Sequence, residues 1–143
     1  MIDLTALFSD LVRAETRLYN QVDARLRAEH DMPLGTYEFL RFIDSRTTTR
    51  VFDIAQEVDI TVGATSKGVD RLEARGWCER RANPDDRRSS LLALTPAGRA
   101  ALTAATPTFE AALAERVAGL PPPVLECLAE GLRHWREELE SRP

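Results

Sequence analysis

The sequence predicts a mainly α-helical fold carrying one small β-hairpin. Apolar residues recur at helical spacing along most of the chain, and the period shortens to two only over WCERRA and SSLLAL, between Trp77 and Leu94. Charge is unevenly placed as well. The 143 residues carry a net charge of −4, yet Thr61 to Arg99 holds eight basic and five acidic side chains, a balance of +3 that leaves the remainder at −7. An acidic body with one basic segment is the charge pattern of a localised polyanion-binding surface.

Leu4, Leu7, Phe8, Leu11, Leu18, Val22 and Leu26 form one apolar stripe, so the first thirty residues read as a single long amphipathic helix. Little other chain is left to cover that stripe, which predicts a second copy as its partner. A second helix, Leu34 to Ile43, follows Pro33 and turns Tyr37, Leu40 and Ile43 inward. After the β-branched stretch TTTRV, the segment FDIAQEVDI offers Ile54, Ala55 and Val58 on one face of a compact third helix. Asp59 ends it, because aspartate tolerates the left-handed conformation that a tight turn requires.

Thr61 is the expected N-cap of a fourth helix, Val62 to Arg75, with Val69 and Leu72 facing inward. Gly76 and Trp77 fit a Schellman ending in which the tryptophan packs back on Leu72. Gly63 and Gly68, inside this helix, each cost about 1 kcal/mol of helix propensity relative to alanine. Each therefore calls for close packing or for close backbone approach to something else. Two short strands follow, with Leu92 and Leu94 on one face and Asn83-Pro84-Asp85-Asp86 as turn chemistry between them. Thr95-Pro96 then opens a long helix through Leu102, Phe109, Leu113 and Val117, in which Pro107 is expected to introduce a kink or end a turn. GLPPPV breaks the chain. Val124, Leu125, Leu128, Leu132, Trp135 and Leu139 form a final amphipathic helix.

Helix, tight turn, helix, hairpin is the order of a winged helix-turn-helix. Residues 1–143 read as one domain, with the winged unit over about 34–100 and dimerisation helices over 1–30 and 101–143. A fourth helix lying in a major groove presents Ser66, Lys67, Asp70 and Arg71 opposite Val69 and Leu72. The wing brings Arg87 and Arg88 beside the adjacent minor groove, where a guanidinium is favoured by the negative potential of narrow A·T tracts. Asp86, two residues before Arg88, is expected to pair with it and fix its guanidinium.

The stretch LEARGWCERRANPDDRRSSLLALTPAG resembles the signature of the MarR family of bacterial regulators. Asp86, Arg88, Leu92, Leu94 and Thr95 match its wing pattern at the family's spacing. The resemblance implies that Ser66, Lys67 and Arg71 occupy recognition-helix positions behind the Thr61 cap, and Thr61 is expected to contact DNA together with them, Arg80, Arg87 and Arg88. It places Arg80 near a DNA and ligand cleft, and makes Arg88 the minor-groove arginine. Asp59 departs from the glycine of many members, and Gly68 from a larger apolar residue. The implied function is a dimeric repressor that binds a pseudo-palindromic duplex and is released by a small aromatic or anionic effector whose binding residues the sequence does not name.

Other classes find less support. No nucleophile with a base, phosphate-binding glycine loop or carboxylate and histidine constellation is present, so no enzyme is expected. His30 and His134 lack metal-ligand spacing and read as surface residues, and neither metal nor cofactor is expected. Tyr19, Tyr37, Trp77 and Trp135 read as packing aromatics. The two cysteines, Cys78 and Cys127, read as small apolar fillers in a reducing compartment. No apolar run is long enough to span a bilayer and the N-terminus lacks a signal-peptide pattern, so a cytoplasmic location without membrane contact is expected. Two rivals stand beside the regulator: a helical protein-interaction module without DNA binding, and a thiol-based redox-sensing regulator acting through Cys127.

Overall fold

A computed structural model describes residues 1–142. Six helices and one hairpin follow in the order α1 (Leu4–His30), α2 (Leu34–Asp44), α3 (Val51–Glu57), α4 (Val62–Ala74), β1 (Cys78–Ala82), β2 (Ser90–Leu94), α5 (Pro96–Val117) and α6 (Pro122–Ser141). The mainly α fold with a two-stranded antiparallel wing stands as predicted, and Arg80 faces Leu92 at the centre of the strand register.

Local chemistry accounts for most boundaries. Asp3 caps α1 by accepting the N–H groups of Thr5 and Ala6 at 2.9 and 3.1 Å. Asp59 adopts φ +53°, and the Ile60 N–H returns to the Ala55 carbonyl, so the α3 to α4 turn closes as its sequence predicts. Gly76 adopts φ +71°, with Gly76 donating to Glu73 and Trp77 to Leu72, the paired bonds of a Schellman ending. Thr95 caps α5 through the Gly98 N–H at 3.0 Å. Pro107 neither ends nor divides α5, which runs unbroken for 22 residues. It lies on an exposed side of the helix, where water can satisfy the carbonyl left without its N–H partner.

The core is built around α2, whose Leu34, Tyr37, Phe39, Leu40 and Ile43 are all buried. Val22 and Leu26 of α1, Ile54 of α3, Val69 and Leu72 of α4, Leu92 and Leu94 of the wing and Leu102 of α5 join the same cluster. The C-terminal half of α1 thus shares the core of the winged unit. His30, expected at the surface, is instead half-buried and bonded to Thr108 of α5 at 2.8 Å. Asp23 of α1 accepts the Leu34 N–H at 2.8 Å and so caps the start of α2 from another element. The TTTRV stretch lies along the wing, where the Thr49 carbonyl accepts the Leu92 N–H at 2.7 Å. Gly98 is where α5 crosses the hairpin base: a Cβ there would stand 1.9 Å from the Trp77 carbonyl oxygen.

The ends of the chain are different. No residue of α6 is buried, and Leu4, Leu7, Phe8 and Val12 of α1 are exposed as well.

Candidate nucleic-acid interface

Helix α4 is seated by one face. Thr65, Gly68, Val69 and Leu72 are buried, which leaves Gly63, Lys67 and Asp70 pointing outward with Ser66 and Arg71 on either side of them. The Thr61 hydroxyl accepts the Ala64 N–H at 3.1 Å and so starts the helix, and its own O–H remains a donor. Gly68 is explained by packing: a Cβ would lie 2.5 Å from Cε2 of Phe39, and the ring fills the place of the missing side chain. That contact lets α4 sit close on α2. Lys67 and Arg71 are exposed and form no ion pair among the described residues.

The wing treats its arginines in two ways. Arg80, on β1, reaches back to α4, where its guanidinium pairs with Asp70 at 2.9 Å and with Glu73, and lies 3.4 Å from the Ser66 hydroxyl. Its side chain is 27% exposed, so the pairing is partly shielded from water. Arg80 is therefore a clamp between wing and helix, and the charge it brings is offset by two carboxylates. Arg81 pairs with Glu79 of its own strand at the surface. Arg87 and Arg88, at the tip, are exposed, and their guanidiniums meet no carboxylate among the described residues.

Asp86 does not hold the Arg88 guanidinium. Its Oδ1 accepts the backbone N–H of Arg88 at 2.9 Å, and its Oδ2 accepts the Ser89 hydroxyl at 3.2 Å. A short acidic side chain in a tight turn reaches the backbone two residues on more readily than the end of a long side chain that water also solvates. Asn83 completes the tip by accepting the Asp85 N–H and donating to the Ser89 hydroxyl, both at 3.0 Å. The wing tip is thus fixed in its backbone, while its two arginines stay unpaired among the described residues.

At the start of α3, Asp53 accepts the Arg50 N–H at 2.8 Å, and the Arg50 guanidinium beside it holds the Asp53 carboxyl below the usual carboxylate range. Arg75 stacks on the Trp77 ring at 3.7 Å, covering the helix end. Tyr37 stacks on Phe109 with ring centroids 4.5 Å apart, the packing role expected of it. Burial pushes the Cys78 thiol up, which removes thiolate character from the wing, whereas Cys127 is exposed on α6. Among the described residues no cluster of three or more His, Cys, Asp or Glu could hold a metal ion, and no helix is long and apolar enough to cross a membrane.

Comparison with known proteins adds an independent line. The MarR family model matches residues 33–90, the span from α2 to the start of β2. The multiple antibiotic resistance protein MarR of Salmonella typhimurium is 30% identical over 100 residues, which cover 66% of this chain and 69% of the relative. A MarR family transcriptional regulator from Streptomyces coelicolor, solved in complex with DNA, superposes with a TM-score of 0.87 at 27% identity, covering 97% of this chain and 91% of that one. Wild-type MarR from Escherichia coli in its apo form shares the fold, with a TM-score of 0.78 at 21% identity over 94% of this chain and 97% of that one.

Proposed function

The chain belongs to the MarR family of transcriptional regulators, and from that premise we propose that it binds duplex DNA as a homodimer, acts as a repressor, and is released by a small-molecule effector. The observation that carries the reading is that, in an acidic protein, α4 and the wing that Arg80 ties to it carry Lys67, Arg71, Arg87 and Arg88 exposed and without an ion pair among the described residues. In the proposed pose α4 enters the major groove behind its Thr61 cap, with Ser66, Lys67 and Arg71 toward base edges and phosphates. Arg87 and Arg88 follow the adjacent minor groove, and Arg80 contributes by fixing the angle between wing and helix.

The terminal helices support a two-fold partner. Phe8 and Leu139 are each 63% exposed and Leu4 72%, in apolar stripes that a solvated monomer has no reason to keep. Between α1 and α6 these stripes border an apolar groove of about 420 Å³ lined by Leu7, Leu11, Leu128, Leu132 and Trp135. We assign 1–30 and 101–143 to dimerisation, with the C-terminal half of α1 also serving the winged core, within one domain.

A second cleft, about 530 Å³, lies between the end of α3 and α6, where dimerisation and winged parts meet. It is the place we propose for the effector. Trp135 and Leu139 supply an apolar wall, while Glu57 and Asp59 oppose Arg136, which is itself paired with Glu140 at 2.9 Å. That rim suits an uncharged or cationic aromatic better than an anion. The location proposed for the whole protein is the cytoplasm.

Selection of bound sequences from random duplex DNA tests the reading. The expected sites are inverted repeats with half-sites centred about 10 bp apart, bound with an affinity that falls as salt rises. Absence of salt-dependent binding to any duplex overturns it in favour of a protein-interaction module. A monomeric mass by light scattering at micromolar concentration overturns the dimer.

A further inference from the structure

The two glycines of α4 answer to different neighbours. Gly68 is required by the protein itself, because the Phe39 ring occupies the space of its Cβ. Gly63 has no such reason. Its φ lies outside the left-handed region, and a Cβ placed on it would meet nothing within 4 Å. Neither backbone conformation nor packing therefore calls for glycine at an exposed helical position, where it destabilises the helix relative to alanine.

What distinguishes Gly63 is its direction. At about 100° per residue it lies opposite the centre of the buried face formed by Thr65, Gly68, Val69 and Leu72, in line with Lys67 and Asp70. It also sits in the first turn of α4, directly after Thr61 and Val62. The leading turn of a groove-bound helix is the part nearest the base edges. A glycine that the fold does not need, on the outward line of that turn, leaves bare backbone where the next surface is the nucleic acid.

We propose that Gly63 is the point of closest approach between the α4 backbone and the floor of the major groove. Its missing side chain sets how deeply the helix docks, and hence which base edges Ser66, Lys67 and Arg71 reach. Gly63 is thus a specificity-determining residue, acting through the space it leaves. The inference rests on the DNA-binding reading above.

The test sets stability against binding. Wild type and Gly63→Ala are compared by thermal unfolding, and by titration of a duplex selected by the wild type and a scrambled duplex of equal length. Gly63→Ala is expected to melt about 2 °C higher, because alanine favours the helix. On the selected duplex it is expected to lose about tenfold or more in affinity, and on the scrambled duplex to match the wild type. Gly63→Val extends the series with a larger loss on the selected duplex alone. Equal affinity of wild type and Gly63→Ala for the selected duplex overturns the proposal, as does an equal loss on both duplexes or a fall in melting temperature. Failure of the wild type to prefer any duplex is a separate outcome that overturns the DNA-binding reading and this inference with it.

Discussion

Midway along the hairpin Arg80 is paired with two carboxylates; at its tip Arg87 and Arg88 are not. The residue type is the same and the strands are joined by a short loop, yet the mid-strand arginine bridges to Asp70 and Glu73 of α4 while the tip arginines face solvent. Of the two acids at the tip, Asp86 is turned to the turn itself, accepting the Arg88 N–H and the Ser89 hydroxyl. A guanidinium whose charge is offset within the protein sets geometry. One that is left unpaired on a fixed backbone is available to a polyanion. The division of labour between clamp and probe is made by neighbouring acids, and substitutions can test it.

The largest effect is expected at the mid-strand clamp. Arg80→Ala leaves Asp70 and Glu73 without their partner on the surface proposed to face DNA. It should lower stability by about 1 kcal/mol, a modest figure because both carboxylates are partly solvated. DNA affinity should fall by about tenfold or more as the clamp is lost and two negative charges oppose phosphate. Adding Asp70→Asn and Glu73→Gln to Arg80→Ala should restore most of the affinity in the same titration. If the triple variant binds as weakly as the single one, Arg80 contacts DNA itself and the comparison breaks.

At the tip, Arg88→Ala should leave the melting temperature unchanged and weaken binding by about tenfold on A·T-flanked duplexes, with less effect on G·C-flanked ones. Arg88→Lys should recover part of the loss, because a strongly hydrated ammonium suits a narrow groove less well. Equal losses on both flanks would remove the minor-groove role.

Asp86 separates two ways of orienting the wing. Asp86→Ala deletes the acceptor for the Arg88 N–H and should reduce affinity by about threefold through a looser tip. Asp86→Asn keeps an oxygen in place and removes a negative charge near DNA, so it should bind as tightly as the wild type or more tightly. A loss as large for Asn as for Ala would show that the carboxylate charge is what matters. Arg81, paired with Glu79 on the open face of its strand, should give the smallest effect. Arg81→Ala is expected to change affinity and stability by less than about twofold in their equilibrium constants, as is usual for an exposed pair.

Much of the molecule was legible residue by residue. Thr61, Gly76 and the Thr95-Pro96 pair mark helix ends because a cap or a positive φ is settled within about one turn of chain, among residues adjacent in sequence. Asp59 was readable for the same reason. The apolar stripes of α1 and α6 were readable too, since helical periodicity shows which face seeks cover. The Asp86 to Arg88 spacing announced an interaction, but not that the backbone N–H would be its object.

What the sequence determined by itself is the set of local conformations, the order helix, turn, helix, hairpin, and the gathering of positive charge on that segment. These follow from dihedral preferences, capping and periodicity, all of which act over a few residues. Only the tertiary structure decided that Phe39 fills the space above Gly68, that Gly98 must clear the Trp77 carbonyl, that Asp23 caps α2, and that Arg80 rather than Arg88 is neutralised. Each joins groups on separate elements, brought together when the helices pack and the wing folds back on α4. Charge and volume at such meeting points depend on both partners, and the pairing becomes fixed only once the chain has closed around its core.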